Sequence, residues 1–170
     1  MIDDKKREAF ASFSSWFGAH KKEEKPKLIR PPYNEDKSLF ETLCPTCLDT
    51  PCVLACEEDI IGLDNVKIPY LLFTKSGCTF CEECARACPH DVLHVGFPAK
   101  IDVFVRIDVG TCIAWNSTIC NSCADVCNDK AIKFLGMFRP LIEIDQCTGC
   151  GFCYGVCPTN AVIFKAKERS

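Results

Sequence analysis

The sequence predicts an α+β chain: two small modules in tandem, each made of short helices and small β-hairpins around bound cofactors, behind an N-terminal helical extension. Three observations predict it. Residues 147–158 read CTGCGFCYGVCP, four cysteines at x2, x2, x3 spacing closed by a proline. Cysteine tetrads begin at Cys44, Cys78, Cys112 and Cys147, in steps of 34, 34 and 35 residues, so the chain is a fourfold internal repeat. Between the tetrads lie short β-branched runs bounded by turn residues, which read as hairpin strands.

The spacing is that of ligands to [4Fe–4S] clusters in bacterial-type ferredoxins, where three cysteines hold one cluster and the fourth reaches to another. A short loop presents three thiolates to one iron–sulfur cube, and the chain then leaves with the fourth aimed at a second cube. Pro158 ends the wrapping loop and is expected to open a helical turn, where its N–H would be unpaired anyway. Thr148, Gly149, Gly151 and Gly155 are expected to let backbone N–H groups approach the inorganic sulfides. All 16 cysteines fall into the four tetrads. A disulfide scaffold belongs to short secreted chains, and paired CxxC units can bind zinc. Four consecutive tetrads, two of them closed by proline, point instead to four [4Fe–4S] clusters.

Length and charge bound the organisation. One repeat is too short to bury a core of its own. Two repeats around two clusters make a unit of about 70 residues, in which metal–thiolate bonding replaces much of the missing core. The chain therefore divides into an N-terminal amphipathic helix and linker, residues 1–33, a first module over 34–100 and a second over 101–170. A net charge of −3 argues against general nucleic-acid binding. Residues 1–30 carry eight Lys/Arg and five Asp/Glu, a local +3, which leaves −6 for the cysteine-bearing body. No signal sequence and no apolar run of membrane-spanning length is visible. Thiols at this density need a reducing compartment during cluster insertion, so the expected location is cytoplasmic.

In chain order, residues 1–20 read as an amphipathic helix: Asp3 or Asp4 caps it, Phe10, Phe13 and Phe17 recur at helical spacing beside Trp16, and Gly18 stops it. Its aromatic stripe is read as docking on the protein's own body or on a partner rather than on a membrane. Residues 20–27 form a charged linker, and Leu28–Tyr33, LIRPPY, is extended because each residue before a proline is pushed out of the helical region. The first tetrad, Cys44, Cys47, Cys52 and Cys56, has a four-residue middle gap, which is expected to bulge and expose its cluster. Ile60–Gly62 and Val66–Phe73 read as a hairpin with Asp64-Asn65 in the turn. The second tetrad, Cys78, Cys81, Cys84 and Cys88 with Pro89, is followed by strand-like runs over Val92–Val95 and Ile101–Ile107. The third, Cys112, Cys120, Cys123 and Cys127, carries an insert in which Trp115 is expected to shield a cluster. Ile132–Leu135 and Leu141–Ile144 lead into the fourth tetrad, Cys147, Cys150, Cys153 and Cys157, and Ala161–Phe164 is a last strand.

Two assignments of ligands are open. Linear pairing, under the three-plus-one rule, makes the sets Cys44, Cys47, Cys52 with Cys88; Cys78, Cys81, Cys84 with Cys56; Cys112, Cys120, Cys123 with Cys157; and Cys147, Cys150, Cys153 with Cys127. Crossed pairing would join the outer tetrads to each other and the inner two to each other.

The sequence resembles the ferredoxin-type NapF family associated with periplasmic nitrate reductase. The resemblance covers about residues 28–165. It is carried by IRPPY upstream with Phe40 before the first tetrad, by CTFCEECARACP, by the inserted third tetrad beginning CIAWNSTIC, and by CTGCGFCYGVCPTNAV. The wide middle gap of the first tetrad and the aromatic, Lys-rich N-terminus depart from the family pattern. The resemblance implies a cytoplasmic iron–sulfur protein that contacts the nitrate reductase catalytic subunit before export and helps to load, or keep reduced, that subunit's own cluster.

Two classes of function follow: an assembly accessory protein, or an electron-transfer polyferredoxin serving a partner oxidoreductase. A subunit of a membrane oxidoreductase would want an export signal or a broad apolar face. No catalytic constellation is expected, so the chain reads as no enzyme. His20, His90 and His94 are scattered and surplus to the cysteines, and no Gly-rich phosphate loop is present.

Overall fold

The computed structural model describes residues 28–167; the amphipathic helix and charged linker expected before them lie outside the described residues. The elements are short and follow the tetrads. Helix α1 is Ser38–Thr42, followed by a 3-10 turn at Cys44–Thr46 and by α2, Pro51–Leu54. Strands β1, Ile61–Leu63, and β2, Pro69–Leu71, precede α3, Glu83–Arg86, and β3, Val103–Ile107. Then come α4, Ser122–Asp125, strands β4, Ile132–Leu135, and β5, Arg139–Ile142, α5, Phe152–Gly155, and β6, Val162–Ala166.

Four one-turn helices, α2 to α5, repeat one device. Each carries the third cysteine of its tetrad and ends just before the fourth. The left-handed residues repeat as well: Asp59, Asp91, Lys130 and Asn160 each stand three positions after a fourth cysteine with φ of 50° to 53°. In three of these turns the left-handed residue's own amide bonds back to the carbonyl of the fourth cysteine, at 3.0–3.3 Å. Pro158 therefore lies inside a tight turn over 157–160, not in the helical turn its sequence context favoured.

The three strand pairs are antiparallel. The β1–β2 hairpin pairs Ile61 with Leu71, and its turn is tied by Asp64 Oδ1 accepting from the amides of Val66 and Ile68. The β4–β5 hairpin pairs Ile132 with Ile142. The longest ladder joins β3 to β6, from Val103↔Ala166 to Ile107↔Val162, with Val103 and Val105 turned inward and Phe104 outward. Of the two strand-like runs expected after the second tetrad, 101–107 forms β3 but Val92–Val95 forms no strand. Val92 and Leu93 are consecutive and both buried, which no half-exposed strand allows, so they plug the core instead.

Residues 29–33 lie along the first module. Leu71 donates its amide to Ile29 O, Arg30 Nη1 donates to Pro69 O, and the His94 amide donates to Tyr33 O. One apolar core runs through both modules, from Tyr33, Phe40 and Leu93 to Ile101, Ile132 and Val162. Phe73, just past β2, is its hinge pin: its ring lies 5.2 Å from that of Phe164, which in turn meets Tyr154 edge-on.

Candidate metal centres

The one-turn helices explain where the cysteines go. Third and fourth cysteines are four residues apart, and the chain leaves each helix between them, so one thiol faces each side of the turn. In each module two such helices, α2 with α3 and α4 with α5, pack together. The result is four cavities, each walled by four cysteines. The first holds Cys44, Cys47, Cys52 and Cys88; the second Cys78, Cys81, Cys84 and Cys56. The third holds Cys112, Cys120, Cys123 and Cys157; the fourth Cys147, Cys150, Cys153 and Cys127. The quartets brought together are those of linear pairing, and the crossed sets are not assembled.

The donor set fits an iron–sulfur cube. Among the described residues no three His, Cys, Asp or Glu side chains converge as a single ion would require, whereas each quartet surrounds a cavity. The rest of each wall is largely apolar, as at the third site, where Ile107, Ala114, Pro140 and Val162 contribute. Backbone amides point at sulfur: Ala131 donates to Cys127 Sγ at 3.3 Å and Ala161 to Cys157 Sγ at 3.2 Å. Such N–H···S bonds favour thiolate and are among the features that set cluster potentials.

Burial dominates the thiols' acidity. It pushes Cys44, Cys52, Cys78 and Cys123 up to about 11 and Cys84 up to about 12, and it also raises Cys147, Cys150 and Cys153. Neighbouring thiols of the same quartet add to the rise. Cys157 is the contrast: against the upward push of burial, amides of Thr159 and Ala161 hold it below its usual value. Ligation needs thiolates, so burial of neutral thiols in the metal-free state makes metal entry a proton-releasing step.

Several sequence expectations change here. The wide gap of the first tetrad exposes Leu48, but the tetrad's cysteines stay half-buried; the exposed cysteine is Cys81 of the second site. Gly151, which lines the fourth cavity, also has a packing reason to be glycine. Its φ is +92°, and a Cβ there would lie 2.2 Å from the Phe73 ring. Trp115 packs beside the buried group of Cys112, Ala114 and Ala161 that backs the third site; its Nε1 donates to Pro140 O, and Arg139 stacks on its ring. Asn116 ties the insert down by donating to Cys112 O at 2.8 Å.

His90, set aside in the sequence as surplus, lines the first cavity with Lys67. His94 instead lies against Phe97. Charge near the sites differs: Glu57, Glu58 and Glu82 line the second and Asp129 the fourth. None of these was singled out by the cysteine pattern, because they act through proximity in space rather than spacing in sequence.

Comparison with known proteins gives the same chemistry. A family model described as a 4Fe-4S dicluster domain matches residues 111–161, and one described as a 4Fe-4S binding domain matches residues 73–94. The chain is 34% identical over 138 residues to the ferredoxin-type protein NapF of Escherichia coli strain K12, covering 79% of this chain and 82% of that protein. It is 33% identical over 150 residues to the ferredoxin-type protein NapF of Haemophilus influenzae, covering 84% and 81%. It is also 31% identical over 164 residues to the methylamine utilization ferredoxin-type protein MauM of Methylorubrum extorquens, covering 84% and 74%.

Proposed function

The chain belongs to the ferredoxin-type NapF family, and on that premise we propose that it is a cytoplasmic accessory protein that loads, or keeps reduced, the [4Fe–4S] cluster of the nitrate reductase catalytic subunit before export. Each quartet holds one [4Fe–4S] cluster, four in all, within modules spanning about 34–100 and 101–170. The observation that carries this reading is the four cavities, each walled by three cysteines of one tetrad and one of its partner tetrad. When bound, such clusters supply one-electron transfer at potentials set by hydrogen bonds, charge and solvent access. The chain's residues do the rest. The third cysteine on each one-turn helix and the fourth just past it hold two sites at a set separation, apolar walls exclude water, and Ala131 and Ala161 amides stabilise the sulfur charge.

A second reading, an electron carrier for a partner oxidoreductase, is favoured by one feature: Cys81 brings a ligand of the second site to the surface. The two are separated by purifying the nitrate reductase catalytic subunit from cells with and without this gene. A client lacking its cluster in the deletion makes the protein an assembly factor. A fully loaded client whose turnover in cells falls for want of electrons makes it a carrier. Unchanged occupancy and turnover would overturn the client assignment.

Among the described residues no helix is long and apolar enough to cross a membrane.

A further inference from the structure

The tetrads do not say how the two modules meet, but the structure does. The amide of Cys78, first ligand of the second quartet, donates to the carbonyl of Cys150, second ligand of the fourth, at 2.6 Å. The approach leaves no slack. A Cβ on Gly77 would lie 2.5 Å from the Phe152 amide nitrogen and 2.8 Å from Cys150 O. Phe73 closes the same seam from the side, its ring against Gly151 and Phe164. Within each module the packed pair of one-turn helices lies between the two quartets: the third cysteine of each tetrad lines one cavity and the fourth, just past the helix, lines the other. The second and fourth quartets therefore face each other at the junction, and the first and third lie beyond their own helix pairs.

We propose that the four sites form one linear array in the order first, second, fourth, third, with the Cys78 N–H···O=C Cys150 bond as the link between modules. The proposal rests on the reading that each quartet holds a [4Fe–4S] cluster. An electron moving along the array is lost by one site and gained by the next, with no bond broken and no proton transferred. It enters from a one-electron donor protein and leaves to a one-electron acceptor. An electron delivered at the first site reaches the third only across the junction. Gly77 is a positioning residue: it supplies no thiol, but its lack of a side chain lets the loops of Cys78 and Cys150 meet at hydrogen-bond distance.

The test uses the full chain with its clusters in place, reduced with dithionite and examined by electron paramagnetic resonance. Cys47→Ser with Cys120→Ser leaves the second and fourth sites; these are expected to show the split, broadened signal of neighbouring spins. Cys81→Ser with Cys147→Ser leaves the first and third, expected to show two uncoupled signals. Coupling in the second variant, or none in the first, would overturn the order. A measurement on the unmodified holoprotein stands beside it should a variant fail to hold its clusters. The Cys78 amide is expected to exchange with deuterium far more slowly than the amide of exposed Ser117, and exchange at that rate would overturn the link. Iron in the unmodified protein short of four per quartet would instead refute the cluster reading itself.

Discussion

The two modules repeat one sequence pattern but are closed by different means. The second is closed by a five-residue ladder, β3 on β6, in which the backbone supplies the bonds and alternate valines the core. The first has no such ladder. Its closure is made by the Tyr33–His94 backbone bond, by Asn34 Nδ2 donating to Val92 O, and by Tyr33 OH donating to Phe80 O inside the second ligand loop. It also extends Phe73 into the second module. A module closed by its own sheet is self-contained; one closed by side chains and a borrowed contact leans on its neighbour. Damage at the shared seam should therefore cost the first module more than the second.

The largest expected effect comes from ligation, where the two modules should behave alike. Cys150→Ala should lose the fourth site and weaken the third, because the α4–α5 helix pair serves both; iron analysis of the purified protein checks this, and unchanged iron would contradict it. Next is the seam. Phe73→Ala removes a buried ring and should lower stability by about 3–5 kcal/mol, with the first module's sites bleaching before the second's in a denaturant series. Simultaneous bleaching would erase the asymmetry. Gly151→Ala attacks the same contact through overpacking and a left-handed backbone, at a cost of about 3 kcal/mol. Combined with Phe73→Ala it should cost less than the sum, since the ring it collides with is gone.

A smaller effect sharpens the contrast in closure. Tyr33→Phe leaves Phe80 O without its donor and should lower stability by about 1 kcal/mol. That loss should be felt at the second site rather than in the second module, and site-resolved cluster loss reads it. Smallest is charge. Lys67 lines the first cavity and acids line the second and fourth, so Lys67→Glu should lower the first site's potential by about 20–40 mV and leave the others unmoved. A redox titration followed by electron paramagnetic resonance measures it.

What the sequence made legible was local. Tetrad spacing, the Asp64 turn and the β-branched runs of β1–β2 and β4–β5 depend on neighbours a few residues away, and they form close to where the pattern places them. The partner of β3 is not legible in the sequence, because β6 is distant in the chain. LIRPPY was readable as extended, but what it lies against was not. The repeated left-handed turn after each tetrad hides behind Asp59, Asp91, Lys130 and Asn160, four positions that share a backbone and no common residue type. Gly77 and Gly151 look alike in sequence to any loop glycine; only the backbone of Cys150 and the ring of Phe73 show why neither tolerates a side chain.

Everything proposed for the sites requires each of the four cysteine quartets to hold one iron–sulfur cube. The most direct test is metal and acid-labile sulfide analysis of the full chain purified without oxygen. The account predicts about sixteen irons and about sixteen sulfides per chain, four of each for every quartet. Zinc in place of iron, or iron saturating at about eight with half the cysteines free to alkylate, would contradict it.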